Sequence, residues 1–234
     1  MSGIAPAPEM ESPLIADSGR SVLVLGGTGL VGSECLRLLI EDPSCERIVV
    51  LARRPLTANV SSAKVEVHVI DFNHLTSYSH LFDVDQILCA LGTTRKQTPS
   101  KRVYRSIDFL YPITAAHLGL ENGASHFLLV SAVGADSGSW IFYNRLKGEL
   151  EDALKELAYR SLTIVQPSVL VGDRAQPRRS ERIAAGLSFV MPEKYKPVLA
   201  STVAKILVDA ARRDEPGIRV IANREIEALG SSEK

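Results

Sequence analysis

The stretch Ser21-Val22-Leu23-Val24-Leu25-Gly26-Gly27-Thr28-Gly29-Leu30-Val31-Gly32 decides the fold of this chain. An apolar run of strand length passes straight into glycines spaced GxxGxxG, and a helical pattern carrying Leu36, Leu39 and Ile40 follows. Strand, glycine turn and helix in that order make the phosphate-binding unit of a dinucleotide fold. Gly26 permits the tight turn, Gly29 lets backbone approach a pyrophosphate, and Gly32 allows the helix to pack closely on the strand. Thr28 sits in the turn, and the helix start at Leu30 and Val31 offers unpaired N–H groups and a partial positive charge to the phosphates.

Outward from this unit, apolar runs of strand length recur at Arg47–Ala52, Val65–Ile70, Gln86–Ala90, His126–Val130 and Ser161–Val165. A short run at Ile218–Ile221 adds an edge strand. Helical patterns lie between or after them at Lys101–Glu121, Tyr143–Ala158 and Ser201–Arg213. Near-continuous apolar strands alternating with helices mean a parallel sheet covered on both faces. The expected fold is α/β, a Rossmann-type doubly wound parallel sheet. Its 234 residues suit one such domain. We divide the chain into a flexible arm, residues 1–19, and a single domain, residues 20–234, in which the Pro-rich and Arg-rich stretch 172–197 contains no strand and covers the substrate side.

The second strand identifies the cofactor. A carboxylate at its end would bind the adenosine ribose hydroxyls and exclude a 2′-phosphate. Here the strand runs Val50-Leu51-Ala52 into Arg53 and Arg54, two guanidinium groups suited to bidentate phosphate contact. The sequence therefore favours NADPH over NADH. After the third strand, Asp71 and Phe72 are placed to face the adenine.

Tyr143 and Lys147 stand four positions apart in a helical segment, on one face. A free phenol has a pKa of about 10, and a nearby ammonium favours the phenolate. Lys147 would supply that charge and hold the nicotinamide ribose, while Tyr143 gives or takes the proton that accompanies hydride transfer. Ser131 ends the strand His126–Val130, at the carboxyl edge where open α/β sheets bind ligands, and its hydroxyl would hold the substrate oxygen against Tyr143.

Gly26 to Gly32, Ser131 and Tyr143-Asn144-Arg145-Leu146-Lys147 together resemble the short-chain dehydrogenase/reductase superfamily in its atypical extended branch. Cys89-Ala90-Leu91-Gly92-Thr93-Thr94, Val130-Ser131-Ala132-Val133-Gly134-Ala135, Lys147-Gly148-Glu149 and Gln166-Pro167-Ser168-Val169-Leu170 are similar to the Tat-interacting-protein-like oxidoreductases. The likeness runs from about Ser21 to about Arg213. It implies that Leu91, Gly92 and Thr93 line the dinucleotide and that Pro167 and Ser168 lie beside the nicotinamide. Gln166 departs from the pattern, standing where many relatives have arginine.

Composition narrows the partners. With 27 basic and 27 acidic residues there is no overall field to draw the chain onto nucleic acid, and no apolar run approaches a membrane span of about 20 residues. The histidines form no metal-binding pattern. Cys35, Cys45 and Cys89 form no CxxC pair, and with an arm unlike a targeting peptide they point to the cytoplasm. Arg174, Arg178, Arg179 and Arg182 suit an anionic group on a small-molecule substrate or a partner surface. The oligomeric state, monomer or homodimer, stays open. The reading is an NADPH-dependent oxidoreductase acting on a carbonyl or hydroxyl group. Its alternatives are an NADPH-binding regulatory protein and an NAD(P)-dependent epimerase or dehydratase.

Overall fold

The computed structural model describes residues 19–56, 62–93, 98, 100–172 and 195–231. The arm up to residue 18 and the arginine cluster at 174–182 lie outside the described residues. Seven parallel strands form one sheet: β1 (Arg20–Leu25), β2 (Cys45–Ala52), β3 (Val65–Val69), β4 (Gln86–Cys89), β5 (His126–Val130), β6 (Ser161–Gln166) and β9 (Gly217–Ala222), in the order β3-β2-β1-β4-β5-β6-β9. The expected doubly wound Rossmann-type sheet is thus the observed fold. A two-stranded ribbon pairs β7 (Leu170–Val171) with β8 (Val198–Leu199).

Alternation within the strands builds a core on each face. In β1, Val22 and Val24 join the cluster beneath α1 (Leu30–Glu41) and α5 (Ala200–Arg213). Leu23 and Leu25 join the opposite cluster, with Phe82, Phe127 and residues of α3 (Tyr111–Glu121) and α4 (Phe142–Glu156). Val22, Leu23, Val24 and Leu25 are all fully buried, which explains a continuous apolar run where a one-sided sheet would alternate. At the amino edge, the buried carboxylate of Asp42 takes Arg20, Arg212 and Ser44 at once, tying α1, β1 and α5 together.

The stretch Lys101–Glu121 is not one uniform helix. It consists of α2 (Lys101–Arg105), a π-helical turn at Ser106–Leu110, and α3. Pro112 has no N–H to give the carbonyl four residues back, so the ladder widens there. Sequence periodicity also gave no sign of the 3₁₀ segment Phe72–Phe82 or of α6 (Asn223–Ser231). The expected edge strand is present as β9, with Ile218 and Val220 exposed on its uncovered face.

Candidate functional site

The order of the sheet reverses between β1 and β4, and a cleft opens beyond their carboxyl ends, where α/β sheets bind ligands. Ala90 N–H donates to Leu25 carbonyl, holding the two strand ends together. Gly26, at φ +85°, starts the turn, and a Cβ there would come within 2.6 Å of the Ala90 carbonyl oxygen. A Cβ on Gly32 would come within 2.1 Å of the Gly26 oxygen, so helix α1 starts hard against its own turn. No side chain caps α1 and its first turn holds no acid, which leaves its N-terminal dipole to a ligand.

The cleft has a volume of about 340 Å³ and takes Gly26, Thr28 and Gly29 from the turn, Arg53 and Arg54 from the end of β2, Phe72, and Leu91, Gly92 and Thr93 from the end of β4. Tyr111 completes it, its ring tilted on Phe72 at 5.5 Å. Arg53 and Arg54 are exposed, and among the described residues neither is ion-paired. Leu30, Val31 and Gly32 are buried; only their backbone is available to a phosphate. Asp71 does not line the cleft. Its carboxylate accepts from Asn73 and pairs with His74 at 3.0 Å, capping the 3₁₀ segment and drawing its own pKa below the ordinary value.

Ser131 lies just past β5, its N–H donating to the Val165 carbonyl, and Val133 N–H donates to Pro167. These bonds continue the β5–β6 pairing past the strand ends, with Ser131 on Val165 and Val133 on Pro167. The Ser131 hydroxyl, however, donates to the buried carboxylate of Glu151, which also accepts from the Gln166 amide at 3.0 Å. Expected to present its hydroxyl to substrate against Tyr143, Ser131 instead spends its one proton on Glu151. Gln166 thereby finds its partner. Ser168 is not among the residues that line the cleft; its N–H donates to Asn223 and its hydroxyl to the Lys196 carbonyl.

Helix α4 carries Tyr143 and Lys147 as the spacing requires. Its Gly148 lets the loop Asp136–Ser137 cross the helix, since a Cβ there would come within 2.2 Å of Ser137 nitrogen. Tyr143 keeps 36% of its surface exposed and sits edge-on to Tyr104 at 6.2 Å. Lys147 is buried and pairs with the buried Asp108 at 3.0 Å. The other Asp108 oxygen accepts from Thr93 N–H, also at 3.0 Å, and the Tyr104 hydroxyl donates to the Thr93 carbonyl. Thr93 therefore joins the cleft to the Tyr143 helix.

Although 36% of Tyr143 is exposed, desolvation by the surrounding protein pushes its phenol up; Lys147 pulls it down and Asp108 pushes it up again, and the balance lies above the ordinary value. Lys147 thus acts in the expected direction, but burial with Asp108 outweighs it. Burial disfavours the Lys147 ammonium, but Asp108 and Tyr143 outweigh it and hold the lysine above its usual range. Asp108 and Glu151 escaped the sequence reading. Their signal was an acid on a helix face that the apolar pattern buries: Glu151 lies among Leu146, Leu150 and Leu154, and Asp108 follows Ile107.

Residues 21–104 match the NAD-binding domain of the semialdehyde dehydrogenases. Protein HTATIP2 of Rattus norvegicus is 30% identical over 80% of this chain and 78% of its own length. Protein FMP52 of Candida albicans is 32% identical over 82% of this chain and 88% of its own. Among solved structures, the UDP-glucose 4-epimerase of Thermotoga maritima with UDP-glucose superposes with a TM-score of 0.67 at 14% identity, covering 90% of this chain and 82% of that one. MoeE5 in complex with UDP-glucose and NAD gives 0.68 at 16%, covering 92% and 82%. Likeness at that identity establishes the fold alone. The FMP52 relatives from several fungi are named mitochondrial, which overturns the cytoplasmic location expected from the cysteines and the arm. Among the described residues no helix is long and apolar enough to cross a membrane.

Proposed function

The chain belongs to the atypical short-chain dehydrogenase/reductase family of HTATIP2 and FMP52, and on that premise we propose that it is an NADPH-dependent oxidoreductase acting on a carbonyl or hydroxyl group of a small molecule. The coarser statement, an NAD-binding Rossmann domain of oxidoreductase type, follows from the matched domain and the relatives. One observation carries the finer reading. The cleft that suits a dinucleotide and the helix bearing Tyr143 and Lys147 share a single junction, Thr93 with Asp108 and Tyr104. The names of the fungal relatives support a mitochondrial location.

The residues fit the cofactor: an uncapped helix N-terminus behind a turn that admits no Cβ at Gly26 or Gly32, and two arginines at the end of β2. Bound there, NADPH supplies the hydride. Backbone N–H groups of the turn and α1 would hold the pyrophosphate, and Arg53 with Arg54 the 2′-phosphate. Tyr143 hands a proton to the substrate oxygen or takes one from it, and Lys147 fixes Tyr143 and the ribose. Ser131 contributes lone pairs while its proton stays on Glu151. The test is a panel of carbonyl compounds with NADPH, read by cofactor absorbance. Turnover that disappears in Tyr143→Phe with NADPH affinity retained supports the reading. Tight NADPH binding without turnover on any of them would leave the protein a cofactor-binding regulator.

A further inference from the structure

Trp140, the only tryptophan in the chain, is 99% exposed, and Ile141 beside it is 61% exposed. Two large apolar side chains standing in water cost free energy that a binding partner would recover. The loop that carries them is held stiffly. Ser139 N–H donates to the Asp136 carbonyl at 3.0 Å, Gly138 N–H to the Asp136 carboxylate at 2.9 Å, and Ile141 N–H to the Ser139 hydroxyl at 3.2 Å. The Arg145 guanidinium closes the turn on the Ser139 carbonyl at 2.9 Å. Helix α2 packs alongside, with Tyr104 edge-on to Phe142 at 5.8 Å and the Lys101 ammonium 5.6 Å above the same ring. We propose that Trp140 and Ile141, flanked by Lys101 and Arg102, form the tip by which this protein docks on an anionic bilayer surface.

The chemistry of the tip selects a lipid interface. Indole is favoured at the level of the headgroups, where its ring meets apolar chains and its N–H still finds a partner. A side chain left 99% exposed stands clear of the protein's own surface, as an inserting anchor must. Backbone that approaches the bilayer needs its polar groups satisfied from within, and the N–H groups of Gly138, Ser139 and Ile141 already are. Charge adds the second attraction. Lys101 and Arg102 are exposed, and among the described residues neither is in an ion pair. Asp136 in the loop accepts from Gly138 N–H, and on α4 Glu149 pairs with Arg105 and Asp152 with Lys155. A positive flank is therefore left for anionic headgroups. Neither a two-residue apolar tip nor two cations would hold a protein alone; together they make a reversible anchor of two signals. Tyr143 follows three residues after Trp140, so docking would bring the proposed site to the bilayer, where amphiphilic carbonyl and hydroxyl compounds collect. That consequence rests on the oxidoreductase reading, whereas the docking does not.

The experiment mixes the full-length protein with vesicles of phosphatidylcholine, with and without phosphatidylglycerol. Because Trp140 is the only tryptophan, its selectively excited emission reports from the tip alone. That emission should be red in buffer, as for indole in water, shift to the blue with anionic vesicles, and be quenched by bromine on the lipid chains. Sedimentation with the vesicles should weaken as salt shortens the screening length to about 8 Å at 0.15 M. Trp140→Ala should lower the affinity about 10-fold or more. Lys101→Gln with Arg102→Gln should abolish the preference for phosphatidylglycerol, and both variants should melt like the wild type. Failure to sediment with anionic vesicles overturns the proposal. So does sedimentation with no shift or quenching of Trp140, since another surface would then be bound. Blue emission before any lipid is added also overturns it, because a second copy or another segment of this chain would already cover the indole. The emission of the unaltered protein decides the matter even if a variant fails to fold. No reading here needs turnover, so a failure of the oxidoreductase assignment would show separately.

Discussion

Replacing Arg53 and Arg54 together by alanine tests the proposed preference for NADPH at the end of β2, which runs into two arginines and no carboxylate. Both guanidiniums line the cleft beyond β2, and Arg53 is close enough for its charge to act on Tyr111 across the adenosine end. The nearby acid, Asp71, is engaged by Asn73 and His74 and does not compete for the arginines. A hydrogen bond to a charged group is worth about 1.5–3 kcal/mol when well shielded. These side chains are exposed, so solvent screening reduces each to about 1 kcal/mol. Two such contacts give about 2 kcal/mol, or about 30-fold in affinity at 1.4 kcal/mol per decade. Calorimetric titration should show that loss for NADPH and almost none for NADH. The wild-type preference should also narrow as salt shortens the screening length from about 30 Å at 0.01 M to about 8 Å at 0.15 M. Equal losses for both cofactors, or tighter NADH binding by the wild type, would refute the reasoning.

Other expectations follow from particular contacts. Tyr143→Phe should reduce turnover by about 100-fold or more, as for a lost general acid, with dinucleotide affinity near wild type in calorimetry. Gly32→Ala should cost at least 1–3 kcal/mol, as overpacking does, because its methyl would meet the Gly26 oxygen; an unchanged melting temperature would show that the turn yields. Asp42 bears on acid stability. Burial alone would raise its pKa, but Arg20 and Ser44 overcome that and hold it well below the carboxylate range. A depressed folded pKa contributes stability that is fully present above the unfolded value of about 3.9 and is lost as pH falls through and below it. Asp42→Asn should therefore lower stability at neutral pH by about 3 kcal/mol, as for a broken buried pair, and flatten the acid limb of denaturation. A variant as stable as wild type at pH 7 would show the clasp to be idle.

The sheet was legible because strands buried on both faces are written as unbroken apolar runs: His126–Val130 matches β5 to the residue, and Arg47–Ala52 misses only the first two residues of β2, Cys45 and Glu46. Helix α4 was legible from its period. The break in Lys101–Glu121 could have been read from Pro112, whose missing N–H opens the π turn that carries Asp108. Glu151 was harder to read. Its role depends on Ser131 and Gln166, which β5 and β6 bring to it from 20 and 15 residues away. The tyrosine spacing located the residue but not the direction of its pKa shift, because that direction is set first by the desolvation of the phenol, which spacing along one helix does not report.

The junction of β1 and β4 also bears on how the chain becomes a protein. Ser21, the second residue of β1, bonds to Asp85 just ahead of β4, across 64 residues of chain. Closing so distant a parallel pairing is entropically slow, since the loop must be ordered before its contacts repay it. The β1–β2 side can assemble from nearby sequence, whereas the β4–β5–β6 side must dock onto it, and the cleft exists only after docking. A dinucleotide arriving then binds the finished state and not its precursors, so mass action makes it a late clamp on folding. Cells short of that nucleotide would hold more of this chain half-assembled, with the β1 and β4 edges open to aggregation or proteolysis.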